Sequence, residues 1–254
     1  REGTMTGLSV FTLVTGASSG IGRAIAAGLS PERDLILHGR DEGRLEETRA
    51  LCRRSERHLV WRHDLNDTAG LEEALARLLR EKNAVIEAFV HSAGTLRLLP
   101  FRSLTRAQMD ETMNVNYWAA ALTVQALVKK SVNQKRLRTV VFVSSTVSKF
   151  GAKAFSAYSA SKGALDSLMR CLAVELAPDV RVNSILPGGL NTPMTEGMLS
   201  DAALAGRLEK DYPLGLGTAA SVADLACFLV SDASRWITGQ QIIIDGGRTV
   251  NITA

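Results

Sequence analysis

The chain has 254 residues, 46% hydrophobic and 22% charged, an ordinary globular composition that excludes a disordered, collagen-like or low-complexity protein. Its net charge of +4 is scattered, and the densest basic stretch, Lys129-Lys130 with Lys135, Arg136 and Arg138, reads as a solvated helix end, so no nucleic-acid partner is expected. Cys52, Cys171 and Cys227 are too far apart for a disulfide framework or a zinc site, and no apolar run approaches the roughly 18 residues of a membrane span, so a cytoplasmic protein with no metal and no membrane partner is expected. Residues 1–4 precede Met5 and read as vector-derived residues ahead of the native start.

The first apolar strand pattern, Val10–Val14, runs through Thr15 into Gly16-Ala17-Ser18-Ser19-Gly20-Ile21-Gly22 and then into a helix pattern over Gly22–Leu29. A glycine-rich turn between a strand and a helix lets backbone approach a pyrophosphate, which the unpaired N–H groups and positive dipole end of the helix then hold. The same residues satisfy G-x-S-x-G with Ser18 as nucleophile. A hydrolase elbow, however, needs a histidine later in the chain, and all four histidines, His38, His58, His63 and His91, lie in the first 91 residues.

A second strand, Leu35–His38, ends in Gly39-Arg40, where a dinucleotide site for NAD(H) would place an acid for the ribose hydroxyls. A guanidinium there suits a 2′-phosphate, so NADP(H) is favoured with NAD(H) as the alternative, Asp41 next door being the residue that argues for the latter. Further strands are predicted at Leu59–Trp61, Ala88–His91, Thr139–Val143, Arg181–Leu186 and Gln241–Ile244, and helices at Glu42–Cys52, Thr68–Lys82, Arg106–Lys130, Ala157–Leu176 and Ser221–Ser231. Unbroken apolar strands alternating with helices, without linker or repeat, predict an α/β fold: a single Rossmann-type domain over 1–254 with a doubly wound parallel sheet of about seven strands.

Within the helix at Ala157–Leu176, Tyr158 and Lys162 stand at i and i+4 and share a face. A cation near a phenol favours the phenolate, which would bring the tyrosine pKa toward the working pH and make a general acid/base. Ser145 precedes Tyr158 by thirteen residues.

These residues together make the chain resemble the classical short-chain dehydrogenases/reductases from Leu13 to Gly247. The resemblance implies a cofactor turn at Gly16, Ser18, Ser19, Gly20, Ile21 and Gly22, with Arg40 at the ribose and Asp64-Leu65 at the adenine. It implies further cofactor contacts from Ser92-Ala93-Gly94, from Pro187, Gly188, Leu190 and Thr192 in the nicotinamide loop, and from Tyr158 and Lys162. Asp245-Gly246-Gly247 matches the C-terminal signature. Asn116, Ser145, Tyr158 and Lys162 are the implied catalytic residues: Tyr158 passes a proton to a carbonyl oxygen held by Ser145, Lys162 binds the nicotinamide ribose and lowers the Tyr158 pKa, and Asn116 supports a proton-relaying water chain. His91-Ser92 departs from the two asparagines usual in the family and puts in doubt their hydrogen bonds to the central sheet.

The expected function is NADP(H)-dependent reduction of a ketone, or oxidation of a secondary alcohol, with a 3-oxoacyl thioester as one substrate. Val174, where such acyl-carrier reductases often place an arginine, speaks against that substrate. The alternatives are an NAD(H)-dependent alcohol or sugar-alcohol dehydrogenase and a catalytically silent dinucleotide sensor. A substrate lid is expected over residues 193–212, with Met194, Met198, Leu199, Leu204 and Leu208 suited to an acyl chain or ring, and the helices holding Asn116–Leu127 and Tyr158–Leu176 imply a homotetramer.

Overall fold

Runs such as Leu35-Ile36-Leu37 bury every side chain, and because successive residues of a strand point to opposite faces, such a run is stable only with cover on both sides. The computed structural model, which describes residues 7–195, 206 and 210–251, supplies that cover. Seven parallel strands are ordered β3-β2-β1-β4-β5-β6-β9: β1 (Ser9–Thr15), β2 (Leu35–Gly39), β3 (Leu59–Arg62), β4 (Ala84–His91), β5 (Thr139–Val143), β6 (Arg181–Pro187) and β9 (Gln241–Ile244). Leu13, Ile36, Phe89 and Phe142 face one layer, formed by α3 (Leu71–Glu81), α5 (Ala119–Val128) and α7 (Ser156–Glu175). Val14, Leu35, Val90 and Val141 face the other, formed by α1 (Gly20–Leu29), α2 (Glu42–Leu51) and α8 (Ala219–Val230). This is a Rossmann-type single domain.

The strand order reverses between β1 and β4, and the crevice outside the carboxyl ends of these strands is where such sheets bind ligands. All seven predicted strands are present. β4 begins at Ala84, four residues before its predicted start, because Glu87 interrupts the apolar run while Arg33 pairs with it at 3.2 Å and lets the strand continue. The predicted helix over 106–130 is three pieces: α4 (Arg106–Met113), a π-helical segment at Asn114–Trp118, and α5, with the short α6 (Lys130–Asn133) following an extended Lys129. A two-residue pair, β7 (Leu190–Asn191) with β8 (Gly217–Thr218), was not foreseen. Residues 1–4, and 196–205 and 207–209 of the expected lid with Met198, Leu199, Leu204 and Leu208, lie outside the described residues. Among the described residues no helix is long and apolar enough to cross a membrane, and no cluster of His, Cys, Asp or Glu could hold a metal ion.

Candidate active site

The turn after β1 is folded tightly on itself. Gly16 has φ +70°, and a Cβ there would lie 2.8 Å from the Ala93 backbone; a Cβ on Gly22 would collide with the Gly16 carbonyl. Three neighbours hold this shape: Arg23 Nη2 donates to the Ser18 carbonyl at 2.8 Å, Thr48 Oγ1 donates to the Ala17 carbonyl at 2.8 Å, and Ala17 N–H donates to the His38 carbonyl at 3.0 Å. Ser19, the N-cap of α1, makes no side-chain cap hydrogen bond, so the first N–H groups of α1 are left to a ligand.

A groove runs from this turn past the ends of β2, β3 and β4. Every residue expected along its adenosine and pyrophosphate course lines it: Gly16, Ser18, Ser19, Gly20, Ile21, Gly22, Arg40, Asp64, Leu65, Ser92, Ala93, Gly94 and also Thr192. Arg44, Thr95 and Met194 line it as well; Arg44 and Thr95 were not anticipated, and Met194 was expected at the substrate lid. The Asp41 carboxylate is turned away, accepting the Arg44 N–H at 3.1 Å as the N-cap of α2. The buried Ser92 hydroxyl has no partner among the described residues. Exposed N–H groups, a cradle that side chains would fill, an orphaned hydroxyl and two cations at the far end fit a dinucleotide.

Gly188 and Leu190, expected at the cofactor, line instead an adjoining cleft with Ser145 and Tyr158, and Pro187 is buried at the end of β6. Tyr158 projects from α7 with its phenol beside Ser145, and the Lys162 ammonium lies 5.7 Å from the centre of the Tyr158 ring. Lys162 is buried and donates to the Val143 carbonyl at 2.8 Å, while Ser144 Oγ and Ser161 Oγ donate to carbonyls of the same helix at 3.4 and 2.7 Å.

Here one expectation is corrected. The Tyr158 phenol is pushed up to about 12, because burial outweighs the hydrogen bond from Ser145. Lys162 faces the ring and a carbonyl, and burial brings its own ammonium down to about 8, with Asp166 one turn later pulling the other way.

Asn116 sits in the π-helical segment and is fully buried. Its Oδ1 accepts from Thr95 N–H at 2.8 Å and its Nδ2 donates to the Thr95 carbonyl at 3.1 Å and Ser161 Oγ at 2.9 Å. The side chain is thus occupied in tying β4's loop to α7, and any water it supports is held through its backbone. A π-segment is the usual form of a distortion kept at a functional position.

His91 answers the departure seen in the sequence. Its Nδ1 lies 3.0 Å from Thr15 Oγ1, which also accepts Ala93 N–H at 3.4 Å, and its other edge faces the carbonyls of Val115 and Asn116. The imidazole therefore ties the ends of β1 and β4 together, and its Nε2 has no hydrogen-bond partner among the described residues. Burial, with Lys162 nearby, lowers the His91 pKa to about 3, and burial with His63 nearby does the same to His38. In the unfolded chain both titrate near 6.5, so between these values the unfolded state holds more protons. Stability is therefore full above pH 6.5 and is lost as pH falls toward 3, by about 1.4 kcal/mol per pH unit for each imidazole. Burial lowers His58 as well, so His91→Asn is expected to remove one imidazole's share of the slope while leaving the rest, read as the urea midpoint between about pH 7 and pH 4.5.

Comparison with known proteins agrees with this geometry. The family model described as enoyl-(acyl carrier protein) reductase matches residues 16–249. The L-xylulose reductase of Bos taurus is 32% identical, over 92% of this chain and 94% of its own. The L-rhamnose 1-dehydrogenase (NAD(P)(+)) of Azotobacter vinelandii is also 32% identical, over 94% of this chain and 96% of its own. A protein of Agrobacterium tumefaciens provisionally assigned as a 2-deoxy-D-gluconate 3-dehydrogenase, solved with bound NADP, superposes with a TM-score of 0.86 at 28% identity, covering 96% of this chain and 97% of that one.

Proposed function

We propose that this chain, which belongs to the short-chain dehydrogenase/reductase family and is an oxidoreductase acting on CH–OH groups with a nicotinamide dinucleotide, works as an NADP(H)-dependent reductase of a small ketone. The observation that carries the NADP(H) preference is the pair Arg40 and Arg44 at one end of the groove, with the acid beside Arg40, Asp41, spent on a helix cap. Two guanidinium groups pair with a 2′-phosphate and gain nothing from a bare ribose.

The bound dinucleotide supplies the hydride. The chain's own residues do the rest: Ser145 holds the carbonyl oxygen, Tyr158 donates the proton to it, Lys162 binds the ribose beside them, and Asn116 fixes the loop at Thr95 against α7. Thr192 lines the groove while Gly188 and Leu190 line the adjoining cleft, so the loop after β6 lies where nicotinamide and substrate would meet. A Tyr158 phenol at about 12 is protonated at neutral pH, ready as an acid for reduction and not yet a base for oxidation. Alcohol oxidation is therefore expected to rise by up to about tenfold per pH unit from pH 7 until Lys162 loses its proton near 8, with reduction flat over the same range, as initial rates in the two directions will read.

Small polyhydroxylated ketones are the substrate class, supported by the two sugar-acting relatives. A 3-oxoacyl thioester is the second reading, favoured by the apolar wall of Leu96, Phe150 and Phe155. Loss of 340-nm absorbance with NADPH and with NADH, against a ketose, a cyclic ketone and a 3-oxoacyl thioester, tests both. NADPH turnover of the ketose is expected; activity with NADH alone would overturn the cofactor assignment. The protein acts in the cytoplasm as a homotetramer, a reading supported by exposed Trp118 and Val174 on the two helices named above and checked by sedimentation velocity.

A further inference from the structure

We propose that the substrate carries a carboxylate and that Arg248 binds it. This rests on the reading of the Ser145–Tyr158 cleft as the reaction site. The cleft is a cavity of about 540 Å³ in which Ser145 and Tyr158 share the lining with Arg248 and Thr249. Arg248 is the one cationic side chain among the described lining residues, and no carboxylate is among them. Much of the remaining wall is apolar, from Leu96, Val147, Phe150, Phe155, Leu190 and Leu216.

The Arg248 side chain, still 39% exposed, brings a cation with free N–H donors to the edge of this apolar wall, where a charge-assisted contact to an anion gains strength. Asp211 provides one such contact, at 3.3 Å from Arg248 Nη2, but Asp211 does not line the cavity and so holds the side chain from outside. The guanidinium is a fork of five N–H donors, and the pair to Asp211 engages one nitrogen.

The turn that presents Arg248 is itself fixed. Asp245 accepts Gly247 N–H at 3.0 Å on one oxygen and Thr249 N–H at 2.7 Å on the other, and Gly246 and Gly247 adopt φ of +58° and +87°. The half-buried Asp245 is thereby committed to the backbone and does not line the cavity. An Arg–carboxylate contact is charge-assisted and directional, so it orients a small substrate with its carbonyl toward Ser145 and Tyr158. The substrate is then a small oxo acid, reduced to the hydroxy acid by a hydride from NADPH at the carbonyl carbon and a proton from Tyr158 at its oxygen, the carboxylate leaving unchanged.

The test compares hydroxy-substituted oxo acids with their primary amides, using NADPH, in the wild-type protein and in Arg248→Leu and Arg248→Lys, with NADPH fluorescence titration confirming that each variant is folded. The wild type is expected to prefer acid over amide in kcat/KM by about 100-fold, the scale of a charged hydrogen-bonded pair. Arg248→Leu should collapse the ratio to within about threefold of one, chiefly through KM for the acid, Arg248→Lys should keep part of it, and added guanidinium salt should restore part of it to Arg248→Leu. A ratio unmoved by Arg248→Leu, or a wild type that prefers the amide, overturns the assignment. Reduction of neutral ketones without any acid being accepted overturns the carboxylate alone; turnover of neither class overturns the reductase reading and the assignment with it.

Discussion

Tyr158→Phe is expected to lower kcat for ketone reduction by about 10²- to 10⁴-fold, the usual contribution of a positioned general acid, while NADPH affinity stays within about tenfold. The substitution keeps the ring that packs edge-on against Phe155 at 6.2 Å and lies beside Lys162, and removes only the hydroxyl that faces Ser145. The fold, the Lys162 bond to Val143 and the groove are thus preserved, and what is lost is the proton. Single-turnover rates and fluorescence titration of NADPH on the same preparation separate the two effects. A variant that still turns over within about threefold of wild type would assign the proton to another group and remove Tyr158 from the mechanism.

Arg40→Asp has the second largest expected effect, a fall of about 100-fold or more in the NADPH-to-NADH ratio of kcat/KM. Two terms add: the guanidinium is lost, and a carboxylate is placed where it repels a 2′-phosphate and accepts from ribose hydroxyls. Arg44→Ala is expected to cost about tenfold in the same ratio, since Arg44 shares the groove but belongs to the helix and not to the strand end. A ratio that Arg40→Asp leaves where it was would show that Arg40 does not read the phosphate.

The sheet was legible in the sequence because a doubly covered strand has no polar alternation to blur it, and each of the seven apolar runs is a strand of the parallel sheet. Glu87 misplaced one boundary, since a single charge in a strand looks like its end unless its partner, Arg33, is known. The π-segment at Asn114–Trp118 left no mark in periodicity: a one-residue bulge moves the apolar stripe by less than the width of the face it covers.

At the site, the residues with chemistry of their own were visible, and those recruited by position were not. Arg44 and Arg248 look like ordinary surface arginines until α2 and the turn after β9 bring them to the groove and the cleft. The direction of the Tyr158 shift was misread for a related reason. Spacing puts a lysine on the tyrosine's face of the helix, but whether burial or charge dominates depends on where the ammonium points, and it points at Val143.

The hydride itself gives the most direct test of the account. NADPH deuterated at both C4 positions, turned over with a ketone that the protein reduces, is expected to deliver one deuterium to the new carbinol carbon, seen as a mass increase of about one unit in the product and not in an undeuterated control. Product formed without deuterium at that carbon, or label that washes out into solvent, would contradict hydride transfer at the Ser145–Tyr158 cleft.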